Sequence, residues 1–317
     1  MPQRPFLHRA LLYRGEAEYV AEITRFIGAG LAAGDAVLVA VPPEKIPVLR
    51  SALGRRRETG EQLSFLDITE AGRNPATILP LWTDFLERNV AAGRGCRGVG
   101  EPVWPERSDA ALAECRSHEG LLNLRFEDGP GWDLLCPYDA GRLGDRALMN
   151  ALATHPRLLE NGEQRASPAY DAASGGWPGY DGPLSRPASP AHELPFGKGS
   201  LREVREFVAA FAGQGGAPPD RALDLTLAVS EVVANSIRYG GGEGVLSLWR
   251  ENGTFLCEVS DRGTISDPFA GRRRPTSDQF GGRGLWIANH SCDLVQIRSR
   301  PGATSVRLHM EVDGQVP

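Results

Sequence analysis

The sequence predicts an α/β chain of two domains: first a mostly parallel sheet with crossover helices, then a mixed sheet with helices packed on one face. Three observations predict it. Short apolar runs alternate with amphipathic helical patterns up to about residue 160. From Asn161 to Ser200 that period gives way to a Pro, Gly, Ser and Ala mixture, which cannot bury enough apolar surface to fold alone. Beyond it the order changes to two helices, a hairpin, a Gly-rich helix and two closing strands. The chain has 317 residues, and at roughly 150 residues per domain two cores are expected. The boundaries are placed at 6–160, a flexible linker at 161–200, and 201–312.

In the first domain the expected strands are Ala36–Val41, Leu63–Ile68, Gly98–Val103 and Trp132–Pro137. Between them Glu16–Ala33, Glu44–Arg56, Ala76–Ala92 and Asp109–Phe126 carry apolar residues at three- and four-residue spacing, the last with Ser108 as N-cap. After the linker, helices are expected over Leu201–Ala212 and Pro219–Tyr239. Asn252-Gly253 between Val245–Trp249 and Phe255–Ser260 is the hairpin signal, because both residues accept the positive φ of a tight turn. The closing strands are Leu294–Arg298 and Ser305–Met310, joined through Pro301-Gly302.

Composition narrows the function classes. Lys+Arg 35 against Asp+Glu 40 gives a net charge of −5, so no basic field suited to a phosphate backbone exists and nucleic acid is not the expected partner. The longest apolar run, Ala36 to Pro42, is far too short for a membrane span, and the start shows no apolar signal core. Five cysteines, odd in number and without CxxC spacing, read as reduced thiols, so a cytoplasmic protein is expected. Gly197-Lys198-Gly199-Ser200 is not a phosphate-binding P-loop: Gly199 and His192 stand where that loop needs a hydroxyl residue and a glycine.

Four separated pieces of the second domain carry chemistry. Glu231-Val-Val-Ala-Asn235 places a carboxylate and a carboxamide one turn apart on a helix face, where Asn235 can offer an oxygen to Mg²⁺ and Glu231 can accept a proton. Asp261-Arg262-Gly263 ends a strand with a carboxylate able to accept from an exocyclic amine. Gly281-Gly282-Arg283-Gly284-Leu285 opens into a helix and presents free backbone N–H groups to phosphates. Gly302-Ala303-Thr304 adds a hydroxyl before the last strand. Singly, each piece equally reads as an ordinary helix face, turn or hinge.

Together and in this order they resemble the nucleotide site of the GHKL ATPase/kinase superfamily, with EVVAN as the N box, DRG as the first glycine box and GGRGLWIA as the second. The nearest branch is the anti-sigma regulatory serine kinases. The resemblance implies a Bergerat-type α/β sandwich with ATP between the long helix and a lid over Thr264–Phe280. It implies Asn235 as ligand of Mg²⁺, Asp261 and Gly263 at adenine, and Gly281, Gly282, Arg283, Gly284, Leu285 and Thr304 around the nucleotide. Glu231 becomes the base that activates a serine of an anti-anti-sigma (STAS) protein, and a sigma factor and a homodimer mate become expected partners. Two departures stand out. Ile265 replaces the second glycine of a DxGxG pattern, and either Arg202 or Arg205 fits the partner-facing arginine of the first helix. The alternatives are an ATP-bound switch without transferase activity and an orphan sensor histidine kinase. Against the latter, none of the six histidines lies on a long helix with an acidic neighbour and a following Pro ahead of the ATP domain.

In the first domain His8-x-x-x-x-Tyr13, Gly100-Glu-Pro-Val-Trp104, Cys115-x-x-His118-Glu119 with Asn123, Cys136-Pro-Tyr-Asp139 and His155-Pro156 look like the MEDS sensory domain. A ligand pocket lined by Glu101, Trp104, His118, Tyr138 and Asp139 is expected beyond the carboxyl ends of the sheet. Cys115, His118, Glu119 and Cys136 are also a conceivable metal or redox set. Buried thiols and a hydrogen-bonded helical His-Glu pair are the plainer reading, and the one adopted.

Overall fold

The computed structural model describes residues 5–54, 62–182, 184–187, 189–276 and 282–312. The chain divides into two compact units between Pro178 and Gly179.

The first unit is a seven-stranded sheet in the order β3-β2-β4-β5-β1-β6-β7. Its strands are β1 (Leu7–Tyr13), β2 (Ala36–Val41), β3 (Leu63–Asp67), β4 (Cys96–Gly100), β5 (Asp133–Asp139), β6 (Arg157–Glu160) and β7 (Glu163–Ala166). All pairings but the β6–β7 hairpin are parallel. The helices of note are α1 (Glu16–Ala32), α2 (Lys45–Leu53), a four-residue α3 (Ile68–Ala71), α4 (Ile78–Ala91), α5 (Asp109–Phe126) and α6 (Asp145–Thr154). Ser108 caps α5 as expected, its side chain accepting from the Ala111 N–H. The apolar-run criterion missed β1, a central strand, because His8 and Arg9 interrupt its apolar run. Arg9 survives there by pairing with Asp133 at 3.1 Å and covering the Phe26 ring.

Alternation along the strands splits this sheet chemically. One face, with Leu11, Val39, Val99 and Leu135, packs on Ile23 and Ile27 of α1 and Leu49 of α2. The other carries His8, Leu134, Cys136 and Tyr138 toward α4 and α5.

The second unit is a five-stranded sheet, β11-β12-β10-β9-β8, built from β8 (His192–Phe196), β9 (Gly244–Glu251), β10 (Thr254–Asp261), β11 (Leu294–Arg300) and β12 (Ala303–Glu311). A mixed sheet was expected; every pairing is antiparallel. The helix between β10 and β11 returns the chain to a strand beside β12, not beside β10, so no parallel neighbour arises. The β9–β10 turn is made by Asn252 (φ 48) and Gly253 (φ 78), as the dipeptide predicts. Helices α7 (Leu201–Gln214), α8 (Pro219–Tyr239) and α9 (Arg283–Ser291) accompany this sheet. Leu225, Val229, Val232 and Val233 of α8 join Leu246, Leu248, Phe255, Cys257 and Leu308 in one core, each such side chain contributing about 1.5–3 kcal/mol by burial.

The Pro/Gly/Ser-rich stretch gives an edge strand to each sheet, β7 and β8, which its composition did not announce. Its aromatics are not all solvated. The Trp177 backbone lies against Gly120 of α5, and the Tyr180 hydroxyl donates to the Asp267 and Pro268 carbonyls at 3.1 Å each.

Candidate functional site

In the second unit, α8 places Glu231 and Asn235, both half-buried, on the side turned toward the start of α9. The fit is close. A Cβ on Gly284 would stand 2.6 Å from Asn235 Nδ2 and 3.2 Å from Glu231 Oε2. Only glycine lets the first turn of α9 approach these two groups. Gly282 precedes that turn at φ 78 as a left-handed N-cap without a side-chain acceptor, so the first N–H groups of α9 have no side-chain cap. Arg283 reaches back to the Thr276 carbonyl at 3.3 Å, and Leu285 is half-buried against the core. Gly281 lies outside the described residues.

At its other end, α8 stops at Gly240, whose Cα packs directly on the Asp261 carboxylate. Asp261 Oδ1 also accepts the Gly263 N–H at 2.6 Å, which fixes its side chain at the end of β10. Thr304 donates to the Gly263 carbonyl at 3.1 Å and shares a 2.8 Å hydrogen bond with Ser299. Thus Glu231, Asn235, Asp261, Gly263, Gly284 and Thr304 border α8 or the strand ends beside it. Gly240 and Ser299 belong to the same arrangement. Sequence reasoning overlooked both, although the glycine run Gly240-Gly241-Gly242 directly after a long helix was a readable signal.

The segment at Ile265 is anchored. Its N–H donates to Ser299 Oγ at 2.8 Å, Phe269 is buried, and the Gly271 carbonyl accepts from Asn289 of α9 at 2.9 Å. The side chain that replaces the second glycine packs against the core. The part of the expected lid at 277–280 lies outside the described residues. Arg202 pairs with Glu206 on the exposed face of α7.

In the first unit the five expected pocket residues divide, Glu101 and Asp139 lying beside Tyr13 and the others elsewhere. Glu101, just past β4, is buried and bound by Tyr13 at 3.4 Å, by Tyr19 at 3.2 Å and by Lys45. Burial raises its carboxyl from 4.5 to about 7, against the opposing pull of Lys45. Asp139 stands near Tyr13 and helps, after burial and Glu101, to push that phenol up. Tyr138 belongs to the opposite face of the sheet, where its hydroxyl donates to Glu119 Oε1 at 3.2 Å. His118 is buried on α5, and Trp104 stacks under Arg107 at 3.7 Å. Lys45, Tyr13 and Tyr19 were not expected at Glu101; they come from three elements and have no common spacing.

The comparisons with known proteins agree with this division. Residues 7–156 match the family model of MEDS, the MEthanogen/methylotroph, DcmR Sensory domain. Residues 194–310 match that of the histidine kinase-like ATPase domain. No curated protein matches the chain. Among solved structures it is similar to the RsbU and RsbW domains of Rv1364c from Mycobacterium tuberculosis, at 20% identity and a TM-score of 0.31. That likeness covers 39% of this chain and 32% of the other, so about a third of that protein's length is matched. It is also similar to the Acinetobacter baumannii histidine kinase AdeS, at 11% identity over 39% of this chain and 68% of that one, TM-score 0.24. The histidine kinase domain of the E. coli osmosensor EnvZ matches at 18% identity over 42% and 96% of the two chains, TM-score 0.24.

Proposed function

We propose, from the premise that the chain joins a MEDS sensory domain to a histidine kinase-like ATPase domain, that it is an ATP- and Mg²⁺-dependent serine protein kinase of the anti-sigma type. It phosphorylates an anti-anti-sigma (STAS) protein, sequesters a sigma factor and is regulated by its N-terminal domain in the cytoplasm. The observation that carries the reading is the packing of Gly284 against Glu231 and Asn235, which sets a base and a carboxamide beside the N–H groups opening α9.

The donor set suits a magnesium nucleotide. Asn235 would give a carboxamide oxygen to the ion, the first turn of α9 would hold phosphate oxygens, and Asp261, fixed by the Gly263 N–H, would accept from adenine. Bound ATP supplies the γ-phosphoryl group. Glu231 would take the proton of an incoming serine hydroxyl as its oxygen attacks, with α9 and the metal site providing position and charge.

The histidines favour serine over histidine as acceptor. His8, His118 and His155 are buried, His290 bonds the Trp286 carbonyl, and His309 bonds Gln296. His192 lies on the edge strand β8, not on a helix. The switch reading keeps one supporting observation: the Ile265 side chain packs against the core, a contact that a glycine would lack.

The test is transfer of labelled γ-phosphate from Mg²⁺-ATP by the full chain into small proteins of the host lysate, with wild type beside Glu231→Gln. Label on one serine, lost in the variant while ATP still binds, supports the kinase. Equal labelling by both removes Glu231 from its role, and ATP binding without labelling hands the reading to the switch.

A further inference from the structure

The face of the first sheet opposite α1 and α2 holds a cluster that the kinase reading does not use. His8 of β1, Glu119 of α5, Cys136 of β5 and His155, at the end of α6, direct Nε2, Oε2, Sγ and Nε2 toward one point, all within 4.8 Å of one another and all buried. Glu119 Oε2 is 3.0 Å from His8 Nε2 and 3.5 Å from His155 Nε2. Cys136 Sγ is 3.4 Å from His8 Nε2 and 3.6 Å from Glu119 Oε2.

The proton positions make this convergence unusual. Asn123 donates its amide hydrogens to the Thr154 and Gly175 carbonyls, both at 2.7 Å, so its Oδ1 faces His8 Nδ1 at 2.8 Å as an acceptor. His8 therefore carries a proton on Nδ1, and in the neutral ring Nε2 is a lone pair. His155 repeats the device: its Nδ1 donates to the Ala151 carbonyl at 2.9 Å, while its buried Nε2 finds no hydrogen-bond partner. Glu119 accepts from the Tyr138 hydroxyl through Oε1, which leaves Oε2 turned toward the two rings. Two ring nitrogens, a carboxylate oxygen and a sulfur thus meet in a dry interior, a set of ligating atoms that needs protons or a metal cation at its centre.

We propose that this cluster is a closed, four-coordinate site for a borderline-soft divalent transition ion, zinc(II) by donor set and geometry. Zinc bonds to N, O and S ligands of about 2.0–2.3 Å place tetrahedral ligand atoms about 3.3–3.8 Å apart, close to the four separations above, with the other two pairs within 4.8 Å. Two imidazoles and a thiolate disfavour Mg²⁺ and Ca²⁺, which take oxygen ligands. Two neutral rings, one carboxylate and one thiolate bring a divalent ion to zero net charge, which suits burial. The outer contacts have the form metal sites need: Asn123 and the Ala151 carbonyl fix the tautomers of the two rings, and Tyr138 holds the second oxygen of Glu119. Binding forms the metal–sulfur bond and releases the Cys136 thiol proton to solvent. With all four positions filled by protein, the ion fastens β1, β5, α5 and the end of α6 together. The sequence pointed to Cys115 and His118 as companions of Glu119 and Cys136; Cys115 instead donates to the Pro102 carbonyl at 3.2 Å.

The experiment is metal analysis of the untagged full chain, followed by cobalt(II) titration of the chelator-stripped protein. Expected are about one equivalent of transition metal per chain, a visible tetrahedral cobalt spectrum with a near-ultraviolet thiolate band, and release of a proton on binding. Cys136→Ser should lose the thiolate band, and His155→Ala should lose stoichiometric metal. Should either variant fail to fold, the wild-type cobalt titration decides alone. A chain isolated without stoichiometric metal whose stripped form develops no thiolate–cobalt band overturns the site and leaves a proton-bridged cluster in its place.

Discussion

Gly284 leaves no room for a side chain between the start of α9 and Asn235: a Cβ there would stand 2.6 Å from Asn235 Nδ2, well inside van der Waals contact. Gly284→Ala must therefore turn the carboxamide away and also crowd the Glu231 carbonyl of α8, 3.2 Å from the same Cβ, a contact that a shift of a few tenths of an ångström relieves. Affinity for Mg²⁺-ATP should fall about tenfold or more, or ~1.4 kcal/mol, with little change in melting temperature. Titration with nucleotide, with and without Mg²⁺, checks this. Unchanged affinity would detach Asn235 from the site.

How far the residues foretold this arrangement depends on what each one's signal was. Glu231 and Asn235 were legible because i,i+4 spacing fixes a shared face on any helix, and α8 buries one face from Leu225 to Ser236. Asp261 and the glycine boxes were legible by order and type. Gly240 and Ser299 were not, since each acts through a contact far away in sequence, with Asp261 and with Ile265. In the first domain periodicity found four strands but passed over β1, whose His8 is buried with its Nδ1 bonded to Asn123 Oδ1. Buried polar strands escape an apolar-run criterion for this reason.

Ser299 bonds both the Ile265 N–H and Thr304, each at 2.8 Å, in a nearly buried position. Ser299→Ala leaves the Ile265 N–H without that acceptor, at a cost of about 1–3 kcal/mol. The segment from Thr264 onward should then exchange amide hydrogen faster than in wild type, with the β10–β12 ladder unchanged. Equal exchange in both would show that this hydrogen bond does not hold the segment.

Gly120 faces the backbone of Trp177, and a Cβ would come 2.5 Å from its Cα. Backbone cannot swing aside as a side-chain tip can. Gly120→Ala should expel residues 175–177 from α5 and break the Asn123 contact with the Gly175 carbonyl. Limited proteolysis should cut this stretch several times faster, with the two units surviving as fragments. An unaltered digest would mean that α5 gives way and not the segment.

Glu101 sets a pH dependence for the first unit. Its carboxyl is raised from 4.5 to about 7 in the folded chain by burial, Lys45 notwithstanding, so the folded state holds a proton that the unfolded state has already released between those values. Stability then falls as pH rises, since the slope follows the excess of protons bound by the unfolded state, here negative. The contribution is fully present below about pH 4.5 and is lost as pH passes about 7. Glu101→Gln, neutral at every pH, should flatten the slope in that window, as read by denaturant midpoints across it. Lys45→Met should deepen the loss above about pH 7, because the cation that offsets the ionised carboxylate is gone. A midpoint that is level across the window in wild type would show that Glu101 titrates alike in both states, and that Lys45 with the two tyrosines already balances its burial.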